Sequence, residues 1–173
     1  MDKTSQNLPK LYVLVGLPAS GKSTFAKTNF GGNDNVILSS DQIRKEIYGD
    51  ESVQKNPAKV FKVLYERANK NLNENKNVVI DATNVTIKTR GEVMKNVTQP
   101  CYKIALVFNA SKNDCTKLDK LRERKVGSAV IEKYAKIYQP PTLDEGFDEI
   151  EAIEVNYNQI LNKTKVEEKN DER

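Results

Sequence analysis

Eight residues near the start of the chain, Gly16-Leu17-Pro18-Ala19-Ser20-Gly21-Lys22-Ser23, have the types and spacing to hold a row of phosphates. They read G-x-x-x-x-G-K-S, with the apolar run Leu11–Val15 before them and the helix-compatible run Thr24-Phe25-Ala26-Lys27 after. A strand, a glycine-rich turn and a helix in that order form a phosphate-binding loop (P-loop). Glycines let the backbone curl so that successive N–H groups face inward. The helix end behind them adds partial positive charge. The expected nucleotide-binding set is Gly16, Ala19, Ser20, Gly21, Lys22, Ser23 and Thr24. Lys22 would reach the β- and γ-phosphates of ATP, and the Ser23 hydroxyl would ligate Mg²⁺.

Such a loop gives nucleotide binding but no reaction, and three further groups narrow the chemistry. In Ser39-Ser40-Asp41-Gln42-Ile43-Arg44, Asp41 and Arg44 stand three apart at a helix start and share a face. Asp41 could accept the proton of an attacking hydroxyl, and Arg44 could fix a phosphate of the acceptor. The same pair could be only a helix cap with an exposed ion pair, worth about 0.3–0.5 kcal/mol. In Asp81-Ala82-Thr83-Asn84, Asp81 ends an apolar strand, where P-loop enzymes keep the carboxylate that supports the metal. Thr83 and Asn84 follow on the loop; they could donate to a substrate phosphate or cap the next helix. The third group is the basic break Arg122-Glu123-Arg124-Lys125. A lid carrying Arg122 or Arg124 over the transferring group would exclude water and neutralise developing charge. The bland alternative is a basic helix end favoured by the helix dipole.

The elements that must position these residues follow from pattern. Leu11–Val15, Val36–Leu38, Asn77–Asp81, Ile104–Phe108 and Ile150–Val155 read as strands. Helices are expected after the loop to about Thr28, over Gln42–Tyr48 with Ser40 or Asp41 as cap, and from Pro57 to about Leu72. Others are expected over Thr86–Val97, from Lys112 to about Arg122 behind a Ser111 cap, and over Ser128–Tyr138. Alternating strands and helices predict an α/β P-loop fold, a parallel sheet of four to five strands with helices on both faces. The expected organisation is a polar lead over residues 1–9, one domain over 10–162 with its lid at about 118–141, and a charged, disordered tail over 163–173.

Composition bounds the class. The 173 residues suit one α/β domain, with 38% apolar and 30% charged residues. A net charge of +4 permits an anionic partner without demanding one. The chain has no histidine, so proton transfer falls to carboxylates, Lys, Tyr or Cys. Cys101 and Cys115 form no C-x-x-C and read as reduced thiols of a cytoplasmic protein. No apolar run approaches the roughly 20 residues that span a bilayer.

Taken together, G-x-x-x-x-G-K-S, S-S-D-x-x-R, V-V-I-D-A-T-N, the arginine-bearing lid and P-P-T-L-D-E-G-F resemble the 5′-hydroxyl polynucleotide kinase family. The likeness is to the kinase module of bacterial and phage end-healing enzymes, and runs from about Leu11 to Val155. It implies transfer of the ATP γ-phosphoryl group to a 5′-OH end of RNA or DNA. Asp41 would then activate the hydroxyl, Arg44 would orient the reacting groups, and Thr83 and Asn84 would lie near the acceptor phosphate. Any ligase or phosphatase of the same pathway would be a separate chain. Leu118-Asp119 departs from the Arg-Asn pair that many relatives carry early in the lid. Two other readings fit a P-loop with an early Asp and Arg: a kinase for a small molecule, sugar nucleotide or aminoacyl-tRNA, and an ATP-dependent binding switch.

Overall fold

The strand that feeds the P-loop, β1 (Lys10–Val15), is apolar on both sides and can be stable only with both faces covered. The computed structural model describes residues 7–162, so the expected tail at 163–173 and most of the polar lead lie outside the described residues. Within them, β1 is the middle strand of a five-stranded parallel sheet. The others are β2 (Asn35–Ser39), β3 (Asn77–Asp81), β4 (Tyr102–Phe108) and β5 (Glu149–Ile153), in the order β2-β3-β1-β4-β5. Val13 of β1 sits opposite Ile80 of β3 and Ala105 of β4. The expected α/β P-loop fold is therefore borne out.

Strand alternation sorts the core into two layers. Leu11, Val13 and Val15 join Leu38, Val78 and Ile80 on one side. There they meet Ile43 of α2 (Ser40–Tyr48), Val60, Leu64, Ala68 and Leu72 of α3 (Pro57–Asn73), and Val93 of α4 (Ile87–Asn96). Leu14, Val79, Ile104, Leu106 and Phe108 face the other way, onto Phe25 and Ala26 of α1 (Lys22–Asn29). A third, smaller cluster docks α5 (Lys112–Lys120) and α6 (Ser128–Ile137) on the site end of the sheet. Cys115 and Ile131 pack there with Leu17 of the P-loop and Val85 of the loop after β3.

Several boundaries move, each for a local reason. The α2 cap is Ser39, whose hydroxyl accepts from the Gln42 N–H, rather than Ser40 or Asp41. Asp41 is thereby placed inside the first turn, near the positive helix end. Helix α5 stops at Lys120 instead of Arg122, because Leu121 and Arg122 bond back three residues, to Leu118 and Asp119. Strand β4 starts earlier, at Tyr102, whose N–H reaches the Pro9 carbonyl. The edge strand β5 ends at Ile153 rather than Val155.

A buried ion pair ties the far end of the sequence to the loop after β3. Arg90 of α4 is fully buried. Its Nε and Nη2 donate to Glu145 at 2.7 and 3.2 Å, and its Nη1 donates to the Asn84 carbonyl at 2.9 Å. Glu145 ends a 3₁₀ turn, Leu143–Glu145, and reaches back to the Thr142 N–H as a capping box. Removing one member strands a buried charge, which costs about 3–5 kcal/mol. Glu145→Ala is therefore expected to lower unfolding free energy by that amount, or Tm by roughly 10 °C. The joint replacement Arg90→Met with Glu145→Leu should cost less than Glu145→Ala alone. Denaturant titration of the three proteins checks this, and an unchanged midpoint in Glu145→Ala would count against the tie.

Candidate active site

The P-loop leaves β1 at the carboxyl end of the sheet and must turn within a few residues into α1. Gly16 has no room for a side chain: a Cβ there would lie 2.9 Å from Ser20 Oγ and 3.0 Å from Phe108 Cβ. Gly21 takes φ 90° at the helix cap, and Ala19 also adopts a left-handed φ, 61°. That conformation costs an alanine roughly 1–2 kcal/mol, so packing around the loop must impose it. Two outside contacts help. The Gly16 N–H donates to the Thr83 carbonyl at 3.0 Å, and the Tyr157 hydroxyl donates to the Ser20 carbonyl at 2.9 Å.

Lys22 is buried inside this curl. Its ammonium donates to the carbonyls of Gly16 (3.0 Å) and Leu17 (2.7 Å) and to Ser20 Oγ (3.3 Å). Burial lowers its pKa to about 8, against the opposing pull of Asp81. The next residue, Ser23, donates its hydroxyl to Asp81 Oδ2 at 2.7 Å. Burial raises the Asp81 carboxyl above the usual carboxylate range, opposed by that hydrogen bond and by Lys22. A serine hydroxyl and a carboxylate are hard oxygen donors of the kind Mg²⁺ prefers. Among the described residues no group of three or more His, Cys, Asp or Glu could hold a metal ion by itself. The pair thus fits a cation that takes its remaining ligands from phosphates and water.

The loop after β3 is bound into the fold. Asn84 is buried with φ 48°, and its amide donates to the carbonyls of Leu14 (2.8 Å) and Ala82 (3.3 Å). Both amide protons are therefore engaged within the protein, and the cap of α4 is Thr86. Thr83 is half-buried beside the P-loop and gives its carbonyl to Gly16.

Asp41 and Arg44 form the second half of the site. Arg44 Nη1 donates to Asp41 Oδ1 at 2.7 Å, with Arg44 buried and the Asp41 side chain about half exposed. Arg44 Nε is buried and meets no acceptor. An unmet buried donor costs about 1–3 kcal/mol, which a ligand oxygen would recover. From the segment between α5 and α6, Arg124 Nη1 reaches Asp41 Oδ2 at 3.5 Å and Glu51 at 3.3 Å. Arg122 stays closer to its own helix, 3.8 Å from Asp119. The two arginines therefore diverge without lying on a helix at all.

Four participants escaped the sequence reading. Asp119, noted only as a departure from the lid pattern, is buried and accepts from the N–H groups of Val126 and Gly127 at 3.0 and 2.9 Å. It shapes the turn that carries Arg124. Glu51 holds Arg124 on its far side, Tyr157 braces the P-loop, and Arg90 holds the Asn84 carbonyl. A buried arginine four residues past a capping threonine offers little warning, because its partner Glu145 is 55 residues away.

Residues 11–141 match the AAA domain family. The chain belongs to that family. This AAA domain is 27% identical over 150 residues to a bifunctional polynucleotide phosphatase/kinase of Schizosaccharomyces pombe, covering 83% of this chain and 33% of that protein. It is 29% identical over 174 residues to an L-seryl-tRNA(Sec) kinase of Methanococcus maripaludis, covering 88% and 63%. The chain thus spans less than two thirds of the curated relatives it matches. In fold it is similar to a chain of the Pnkp1/Rnl/Hen1 RNA repair complex, with TM-score 0.68 and 24% identity, covering 78% of this chain and 45% of that one.

The buried lysine has a pH consequence. Below pH about 8 the free protein keeps the Lys22 proton, and above it the proton is lost while the unfolded chain retains it up to about 10.5. The ligand-free fold therefore gains stability from this group as pH rises from about 8 toward 10.5. Triphosphate binding has the opposite trend, because phosphates favour the ammonium. ATP affinity is expected to fall above pH about 8, by up to tenfold per unit, with proton uptake on binding. Lys22→Arg, charged throughout, should flatten that dependence. Calorimetry in buffers of different ionisation enthalpy measures both.

Proposed function

We propose that this chain transfers the γ-phosphoryl group of ATP to a 5′-OH end of RNA or DNA. The observation that carries the reading is Asp41, half exposed beyond β2 and met by Arg44 on one oxygen and Arg124 on the other. A carboxylate so placed, across from a P-loop, suits a hydroxyl acceptor better than a bare ATP-hydrolysing switch.

In this reading the inward N–H groups of the loop and Lys22 hold the β- and γ-phosphates. Ser23 and Asp81 would hold Mg²⁺, which neutralises charge on the phosphates when bound. Asp41 accepts the proton of the attacking hydroxyl and aims its oxygen at the γ-phosphorus. Arg44 turns its unmet Nε–H toward an acceptor phosphate. Arg124, delivered by the lid, leaves Asp41 for the transferring group as charge develops there. Thr83 lines the acceptor side, while Asn84 holds the loop that carries it. The likeness to a polynucleotide phosphatase/kinase and to a chain of an RNA repair complex supports the nucleic acid acceptor. The likeness to an L-seryl-tRNA(Sec) kinase favours a second reading, a hydroxyl carried by an aminoacyl-tRNA. Incubation with ATP, Mg²⁺ and either 5′-OH oligonucleotides or seryl-tRNA separates the two.

Asp41→Asn keeps size and most hydrogen bonding but removes the proton acceptor. It is expected to slow single-turnover transfer to a 5′-OH oligonucleotide by about 10²–10⁴-fold with ATP affinity nearly intact. Arg124→Ala should lower kcat more than it raises the KM for ATP, and Arg122→Ala should be the milder change. Unchanged transfer in Asp41→Asn would remove it as the base, and lost ATP binding would reassign it to the nucleotide side.

A further inference from the structure

Helices α3 and α4 do not close over one another at the surface; between them runs a cleft of about 730 Å³. That lies within the roughly 300–1,000 Å³ usual for small-molecule sites. Its lining changes in charge along the two helices. Both helices start at the end of the sheet that carries the P-loop, α4 directly after the Asp81–Asn84 loop. Near those starts stand Lys62 on α3 and Lys88 on α4, both exposed. One turn further along each helix stands a carboxylate, Glu66 and Glu92. The wall is aromatic: Phe61 and Tyr65, half-buried, with ring centroids 6.1 Å apart. From the active-site end inward the charge thus changes from two cations to two anions within one turn, with one ring beside each pair, Phe61 next to Lys62 and Tyr65 next to Glu66.

We propose that this cleft binds one nucleotide of the acceptor strand, next to the end that is phosphorylated. The proposal rests on the reading of the chain as a 5′-OH kinase. Lys62 and Lys88 take the bridging phosphate. Phe61 and Tyr65 give the base a face to stack on, a contact that tolerates any base. Glu66 and Glu92 are acceptors only, so they favour a base that presents an amino group and disfavour uracil or thymine. The same carboxylates repel further phosphates, which limits the track to a few nucleotides.

The test is equilibrium binding of fluorescent 5′-OH tetranucleotides without ATP, read by anisotropy, together with transfer kinetics on the same oligonucleotides. Phe61→Ala is expected to weaken oligoadenylate binding about tenfold. Lys62→Glu with Lys88→Glu should weaken it at least as much and steepen nothing in the KM for ATP. Wild type should prefer oligoadenylate and oligocytidylate to oligouridylate, and Glu66→Gln with Glu92→Gln should level that preference. Circular dichroism and an unchanged ATP affinity show that each variant is folded. Failure of the wild type to bind oligonucleotides, or binding indifferent to all three variants, overturns the cleft. If the cleft seats a second copy of this chain instead, sedimentation shows a dimer that Phe61→Ala dissolves, which also overturns it. Binding that responds to the variants without any phosphoryl transfer keeps the cleft and defeats the kinase reading alone.

Discussion

A lysine ammonium sealed under a loop has to find oxygen on every side, and the P-loop is shaped by that need. Lys22 meets two carbonyls and a hydroxyl of its own loop, and burial still lowers its pKa to about 8. The loop can supply those oxygens only while it stays curled, with Ala19 held in a left-handed turn. Phosphate oxygens are better partners for an ammonium than peptide carbonyls, since the hydrogen bonds become charge-assisted at both ends. The ligand-free loop therefore stores both the charge and the curvature that a triphosphate would use.

The curl is not self-supporting. It is tied to the loop after β3 through Gly16 and Thr83, and that loop is held by Asn84, whose carbonyl is held in turn by Arg90. Arg90 depends on Glu145, so a turn late in the chain fixes the phosphate loop near its start. Tyr157 adds a second late tie, at the Ser20 carbonyl. Rigid support of this kind is what holds reactive groups within a fraction of an ångström of their working positions.

The side proposed to take the acceptor is built differently. Asp41, Arg44, Arg124 and Glu51 form a partly solvated network in which charges alternate. The two pairs that Arg124 makes are partly exposed and individually weak. In the proposed transfer, Arg124 would exchange its carboxylate partners for a developing phosphoryl charge at little cost. Asp119 fixes the turn next to Arg124 by accepting from two backbone N–H groups, of Val126 and Gly127.

The phosphate loop, the sheet and the helix order were legible in the sequence because each rests on local rules. Spacing alone specifies G-x-x-x-x-G-K-S. Both-face burial makes β1, β3 and β4 near-continuous apolar runs, and Ser111, Thr86 and Asn56-Pro57 mark helix starts through short-range hydrogen bonds. Asp41, Arg44 and Asp81 could be singled out because strand ends and helix starts are where such side chains face a crevice. The rest needed tertiary structure. Whether Arg122 or Arg124 meets Asp41 depends on a turn set by Asp119, and whether Asn84 faces substrate or the protein depends on the Leu14 carbonyl, 70 residues away in sequence. Pairings at that separation leave no periodic trace, since their geometry comes from sheet order and helix packing rather than from neighbouring residues.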